Sequence, residues 1–235
     1  MRESGRRPDE LRALEIVPDY LEQPHGCALV VQGKTTVLCT ASVEERVPRW
    51  LMGQGKGWMT AEYSLLPAST GERTPREARA GRQGGRTVDI HRLIGRAVRA
   101  VADFEALGEL TLWLDCDVLQ ADGGTRCAAI SGVWVAAHRA LDRFGLSKAL
   151  PGAVAAVSVG IVDGRPLLDL DYSEDSQADV DLNVVMTGDG RYVDVQATAE
   201  RVPFSRDDLD ALFDLAAIGI ERIRAEQERA AAASL

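Results

Sequence analysis

The chain is poor in the residues that build metal cages, disulfide frameworks and membrane spans. Its 235 residues include four cysteines, at 27, 39, 116 and 127, and no two of them have the Cys-x-x-Cys spacing of a zinc site. Three of the four stand in or beside apolar strand-like runs, so the set reads as buried thiols in a reducing compartment. Three histidines, His25, His91 and His138, are too scattered for a ligand cluster. No run approaches the roughly 18 apolar residues of a membrane helix, and Met1-Arg-Glu-Ser-Gly-Arg-Arg-Pro has no apolar signal core. A soluble, cytoplasmic protein with no membrane contact is expected. Aromatics make up only 5%, which leaves little for stacking on bases. No Gly-Lys-Ser/Thr follows a glycine loop at Walker spacing, which argues against a nucleoside-triphosphate-dependent kinase or ATPase.

Net positive charge is also missing, since the formal charge is −9. The average conceals a concentration. Between Arg73 and Arg99 lie eight arginines (73, 76, 79, 82, 86, 92, 96 and 99) against Glu77 and Asp89, a local balance of +6 that leaves −15 for the rest. The average therefore does not exclude a phosphate-backbone partner, for which a basic segment is suited. With 46% hydrophobic and 27% charged residues, the chain can bury a real core as one large domain or two closely packed halves.

The most informative run is Asp115-Cys-Asp-Val-Leu-Gln-Ala-Asp-Gly-Gly-Thr-Arg126. Leu110, Leu112, Leu114, Cys116 and Val118 alternate with polar residues, which predicts a strand. Ile130, Val133, Ala137 and Ala140 then recur every three or four residues, so a helix with one buried face is expected to begin at Cys127. Gly123 to Arg126 thus stand at a helix N-terminus, either as a tight turn with a capping threonine and a solvated arginine, or as a cradle whose free amides, helix dipole and guanidinium favour a phosphate group.

Elsewhere, Cys27 to Gln32 and Thr35 to Ser42 predict a hairpin about Gly33-Lys34. Residues 48 to 87 show no sustained period and read as a long irregular stretch. A helix is predicted from Val88 to Phe104, with Arg92, Arg96 and Arg99 on its outer face and Arg86 just before its start. Strands follow at 154–162, 166–171, 181–187 and 192–197. Ser205-x-x-Asp208 opens a final helix whose Leu209, Leu212, Phe213, Ala216, Ile220 and Ile223 face the core. The division is 1–150, 151–228 and an alanine-rich tail, 229–235, expected to fray. Each half is strands followed by helix, an α+β fold with a hint of duplication.

Among the acidic residues of the second half, Asp181 and Asn183 share one strand face, and Asp175 can fold back toward it. Glu174 and Asp179 read as a solvated acidic turn. Two carboxylates beside a phosphate cradle can hold Mg2+ through oxygen ligands, or one can serve as general acid.

Cys116 to Arg126, Gly53-Gln-Gly-Lys-Gly-Trp-Met-Thr-Ala-Glu-Tyr63, Gln83-Gly-Gly-Arg-Thr87, Glu174-Asp-Ser176 and Asp181-Leu-Asn-Val-Val-Met-Thr187 resemble the ribonuclease PH family, in unbroken order from about Arg6 to about Ile223. The resemblance implies the ribosomal protein S5 domain 2-like fold with duplicated βαβα-type halves. It implies a phosphate-dependent 3′→5′ exoribonuclease that trims 3′ extensions of tRNA precursors and other RNA 3′ ends, releases nucleoside diphosphates and runs in reverse as nucleotidyl addition. By the same resemblance inorganic phosphate is the co-substrate, bound by Arg86, Gly124, Thr125 and Arg126, and the acid or Mg2+ role falls on Asp175 and Asp181. Arg73, Arg76, Arg79, Arg82, Arg92, Arg96 and Arg99 would hold the RNA backbone. The family assembles as a homohexamer, a trimer of dimers, with residues 65 to 80 crossing a subunit boundary. Two departures stand out: Ala68 where an arginine is usual, and Cys127 where a threonine is usual. A catalytically inert RNA-binding ring subunit is the rival reading, disfavoured because the arginine and aspartate sets are both present.

Overall fold

Alternation in the first half produces a five-stranded sheet. In the computed structural model, which describes residues 2–233, its strands are β1 (Leu14–Pro18), β2 (Gly26–Gln32), β3 (Thr35–Glu44), β4 (Trp58–Leu65) and β5 (Thr111–Gln120). Their order is β1-β2-β3-β5-β4, antiparallel throughout except for the parallel pair β4 and β5. A parallel pair needs a crossover. α1 (Gly85–Arg99) and the single turn α2 (Phe104–Leu107) supply it.

The second half forms an antiparallel sheet of order β7-β6-β8-β9 from β6 (Val154–Val162), β7 (Arg165–Leu168), β8 (Val180–Thr187) and β9 (Tyr192–Ala199). One helical turn, α4 (Tyr172–Asp175), lies between β7 and β8, and α5 (Arg206–Ala231) closes the chain. The Ser205–Asp208 capping box forms as expected at its start. The result is α+β.

Joining the halves is α3 (Thr125–Arg143), which packs on β2, β3 and β5 of the first sheet and on β6 of the second. Its burial is therefore not confined to one face as its period predicts, for Ala129, Val135 and Ala136 are as fully buried as Ile130 and Val133. Small residues make this possible. A Cβ at Gly132 would lie 2.3 Å from Val30 Cγ2 and 2.8 Å from Cys39 Sγ, so the helix rests directly on β2 and β3.

Other expectations shift at element ends. α3 begins at Thr125, two residues before Cys127, because left-handed Gly124 already serves as its N-cap. α1 begins at Gly85 and ends at Arg99, placing Arg86 within its first turn. The stretch 48–87 is not wholly irregular, since β4 buries Met59, Ala61 and Tyr63 along one face. At the C-terminus, the helix continues through Ala231 with Ala230 fully buried, so residues 229–231 are part of the packing and not a frayed tail. Ser234 and Leu235 lie outside the described residues. All four cysteines are buried and unpaired. No helix among the described residues is long and apolar enough to cross a membrane.

Candidate active site

The glycine turn after β5 enters α3 through two left-handed residues, Gly123 at φ +77° and Gly124 at φ +66°. No side chain caps the helix, so its first amides keep the orphan donors of any helix start. A Cβ at Gly123 would stand 2.7 Å from the Leu170 carbonyl oxygen and 2.9 Å from the Asp171 carbonyl carbon. The turn is thus seated on the backbone that leads into α4. Gly123→Ala should lower stability by about 1–3 kcal/mol, from the left-handed backbone alone, and by more where the added methyl meets the Leu170 carbonyl. A thermal melt that matches the parent would contradict that contact.

Three elements converge on this turn. Tyr63, from β4, has its hydroxyl 2.9 Å from Thr125 Oγ1. Burial pushes the Tyr63 phenol up, while the Thr125 hydrogen bond and the charges of Arg86 and Arg126 pull it down. Both guanidinium groups therefore act at the same spot. Arg126 also donates through Nη1 to Gln196 Oε1 on β9, at 2.9 Å.

The carboxylates come from the second half. Asp181 sits on β8 opposite Gly160 of β6 and Thr198 of β9, and Asp175 is the last residue of α4. Burial first, and the Asp175 charge second, push the Asp181 carboxyl up to about 6, against the opposing pull of Arg126 and a hydrogen bond from Asn183. Burial also raises Asp175, and Arg86, Arg126 and Arg12 oppose it. Arg86 and Arg126 thus act on Asp175, and Arg126 and Asp175 act on Asp181, so these four expected site residues are linked electrostatically.

Holding the halves together is the N-terminal segment, for which the sequence gives no periodic signal. Arg12 is 7% exposed. Its Nη2 lies 2.7 Å from Asp169 Oδ1, its Nη1 donates to the Asp122 carbonyl at 2.5 Å and its Nη2 to that of Gly123 at 3.4 Å. One guanidinium therefore grips both the glycine turn and the second half. Glu174, read from sequence as a solvated acid, is instead buried and accepts Arg2 Nε and Nη2 at 2.6 Å each, with Arg6 Nη2 at 3.2 Å. Bidentate pairing gives this enclosed carboxylate the partners that its burial requires. It also fixes α4, and with it Asp175.

The arginines expected to meet RNA divide into two groups. Arg73, Arg76, Arg79, Arg82 and Arg92 are exposed, and Arg76 and Arg82 line a groove that also holds Glu62, Asp115 and Asp117. Arg96 is committed to an ion pair with Asp194, at 2.5 Å. Arg99 lies over the Trp58 ring at 4.9 Å and donates to the Met59 carbonyl at 3.1 Å, which makes it a brace between α1 and β4. Outer position on the helix did not reveal these partners, because both come from distant strands. Among the residues that sequence reasoning missed, Tyr63 and Gln196 belong to strands whose alternation places them facing the turn.

Comparison with known proteins agrees with this geometry. Residues 10–141 match domain 1 of the 3′ exoribonuclease family and residues 152–219 match domain 2. A ribonuclease PH from Syntrophomonas wolfei is 54% identical over 232 residues, covering 97% of each chain. Another from Brucella ovis is 54% identical over 238 aligned residues, covering 99% of this chain and 100% of the relative. Two solved structures share the fold: rice (Oryza sativa) Rrp46, with TM-score 0.78, 19% identity and coverage of 97% and 98%, and the Archaeoglobus fulgidus exosome with RNA bound to the active site, with TM-score 0.79, 23% identity and coverage of 96% and 92%. Two family domains in the expected order, on a two-sheet fold with the charge cluster at their junction, lead to one conclusion: the chain belongs to the ribonuclease PH family of 3′ exoribonucleases.

Proposed function

We propose that this phosphate-dependent 3′→5′ exoribonuclease works at the junction of its halves, with Arg86, Gly124, Thr125 and Arg126 holding inorganic phosphate and Asp175 and Asp181 facing it. The observation that carries this reading is the shared charge field of Arg86, Arg126, Asp175 and Asp181. A phosphate oxygen attacks the terminal phosphorus of the RNA, the bond from that phosphorus to the 3′ oxygen of the preceding nucleotide breaks, and a nucleoside diphosphate leaves. The freed 3′ oxygen takes up a proton. Two anions must approach each other in this step, so guanidinium groups and helix-end amides are the catalytic need.

The two carboxylates also fit Mg2+, which is satisfied by one or two carboxylates together with phosphate oxygens and does not require an all-protein cage. When bound there, Mg2+ would supply charge neutralisation between the attacking and leaving groups. Asp175 and Asp181 would hold it.

Single-stranded RNA 3′ ends, those of tRNA precursors foremost, are the substrates we assign, with Arg73, Arg76, Arg79, Arg82 and Arg92 along the backbone. Arg96 and Arg99 extend that set along α1, Arg96 beside its ion pair with Asp194 and Arg99 beside its bond to the Met59 carbonyl. The working assembly is a cytoplasmic homohexamer, a trimer of dimers. Exposed Trp50, Met52 and Trp113, at 59%, 65% and 38%, support a subunit contact at that end of the first sheet.

Incubation with a 3′-extended tRNA, with and without inorganic phosphate, tests the reaction. Nucleoside diphosphates should form only when phosphate is present. Monophosphates released in its absence would replace phosphorolysis with hydrolysis.

A further inference from the structure

The face of the second sheet that meets the glycine turn carries an uncharged polar row. Ser158, Asn183 and Gln196 lie side by side on β6, β8 and β9, directly paired in register. Each reaches a residue of the turn or of the first turn of α3. Ser158 Oγ, buried and without a hydrogen-bond partner among the described residues, lies 3.7 Å from where a Cβ on Gly124 would be. Gln196 Oε1 accepts from Arg126. Asn183 Oδ1 accepts from the Cys127 thiol at 3.3 Å.

Asn183 differs from its neighbours in having a second partner within the site. Its Nδ2 donates to Asp181 Oδ2 at 3.2 Å and Oδ1 at 3.4 Å. The two ends of the amide therefore face groups of opposite demand, since an ionised carboxylate accepts only and a protonated thiol donates. Burial pushes the Cys127 thiol up to about 12, so its proton stays on sulfur at any working pH. Were the thiol absent, the amide could reverse and turn its oxygen toward the carboxylate. Asn183 is 7% exposed and Cys127 is 3% exposed, too enclosed to contact an RNA end.

We infer that Asn183 is a positioning residue for phosphorolysis: gripped at its carbonyl end by the Cys127 thiol, it fixes the Asp181 carboxylate against the phosphate cradle. Cys127 then influences turnover only through Asn183. Supporting residues of this kind govern how closely a reacting group is held, and their loss costs turnover more than binding. The inference rests on Asp181 acting in the chemistry, as proposed above.

Steady-state phosphorolysis by the full chain, with phosphate and RNA each varied, tests it. Asn183→Ala should lower kcat by about 10- to 100-fold, with both KM values held within about twofold. Cys127→Ala should lower kcat by about threefold, and Cys127→Ser, which keeps a donor, should recover it. The double variant Cys127→Ala/Asn183→Ala should be no slower than Asn183→Ala alone. Losses that multiply in the double variant, or a Cys127→Ser no better than Cys127→Ala, would overturn the coupling. An Asn183→Ala enzyme with the parent kcat, or with its whole loss in KM, would overturn the positioning role. Should Asn183→Ala fail to fold, the comparison of serine with alanine at 127 still decides. Asp181→Asn run in parallel separates the two levels: if it is fully active, the assignment of Asp181 fails; if it is inactive while Asn183→Ala is normal, only the inference fails.

Discussion

Asp181→Asn should reduce kcat by about three orders of magnitude while leaving RNA binding intact, and it should stabilise the protein at neutral pH. Loss of turnover follows from removing either a proton donor or an oxygen ligand, because an amide replaces neither. Retained RNA binding follows because the exposed arginines lie on α1 and on the segment before it, not on β8. The stability gain has a separate cause. In the folded chain the carboxyl titrates at about 6, above its ordinary value of 3.8, so between those values the native state holds a proton that the unfolded state has released. Its contribution to stability is therefore full below about pH 3.8 and is lost as the pH rises through about 6. Above that, the ionised group is a cost. Asparagine removes it, for a gain of about 1–2 kcal/mol after allowance for solvent contact. Melting curves at pH 4 and pH 7.5 check the sign: the variant should lead by a few degrees only at the higher pH. An equal Tm at pH 7.5 would show that Asp181 is not under electrostatic stress.

Such stress is what a catalytic carboxylate is expected to carry, and it could not be read from the sequence. The spacing of Asp181 and Asn183 places both on one strand face, but the shift in Asp181 comes from burial and from Asp175 across a loop. The glycine turn was legible because its signal is local: alternation up to Val118, two glycines, then a helical period. β4 was hidden because its outward positions include Trp58 and its flanks are rich in glycine, so Met59, Ala61 and Tyr63 did not stand out as a buried set. Arg12 and Glu174 were invisible or misread for a common reason. Each is explained by a partner more than 150 residues away, and nothing in a local charge pattern says whether a carboxylate is solvated or gripped by Arg2. The same limit applies to Arg96 and Arg99, whose helical spacing was read correctly and whose partners were not.

Replacing Arg126 with alanine should raise the KM for phosphate steeply and lower kcat/KM for phosphate by about 10²- to 10³-fold. The residue stands in the first turn of α3, where the helix dipole and the orphan amides are not by themselves a match for a doubly charged ion competing with water. Its guanidinium is aimed by Gln196, which accepts one Nη1 proton and leaves the remaining donors free for phosphate oxygens. The same charge holds down the Asp181 carboxyl, so the variant should show a second effect. Without Arg126, Asp181 should titrate still higher, and its ionised form should be scarcer near neutral pH. The pH profile of kcat/KM would then shift upward relative to the parent, on whichever limb Asp181 controls. Arg126→Lys should recover little, because a single ammonium cannot present two parallel donors to a phosphate while also reaching Gln196. A phosphate titration showing the parental KM in Arg126→Ala would remove the residue from the cradle and leave only the helix end to bind the anion.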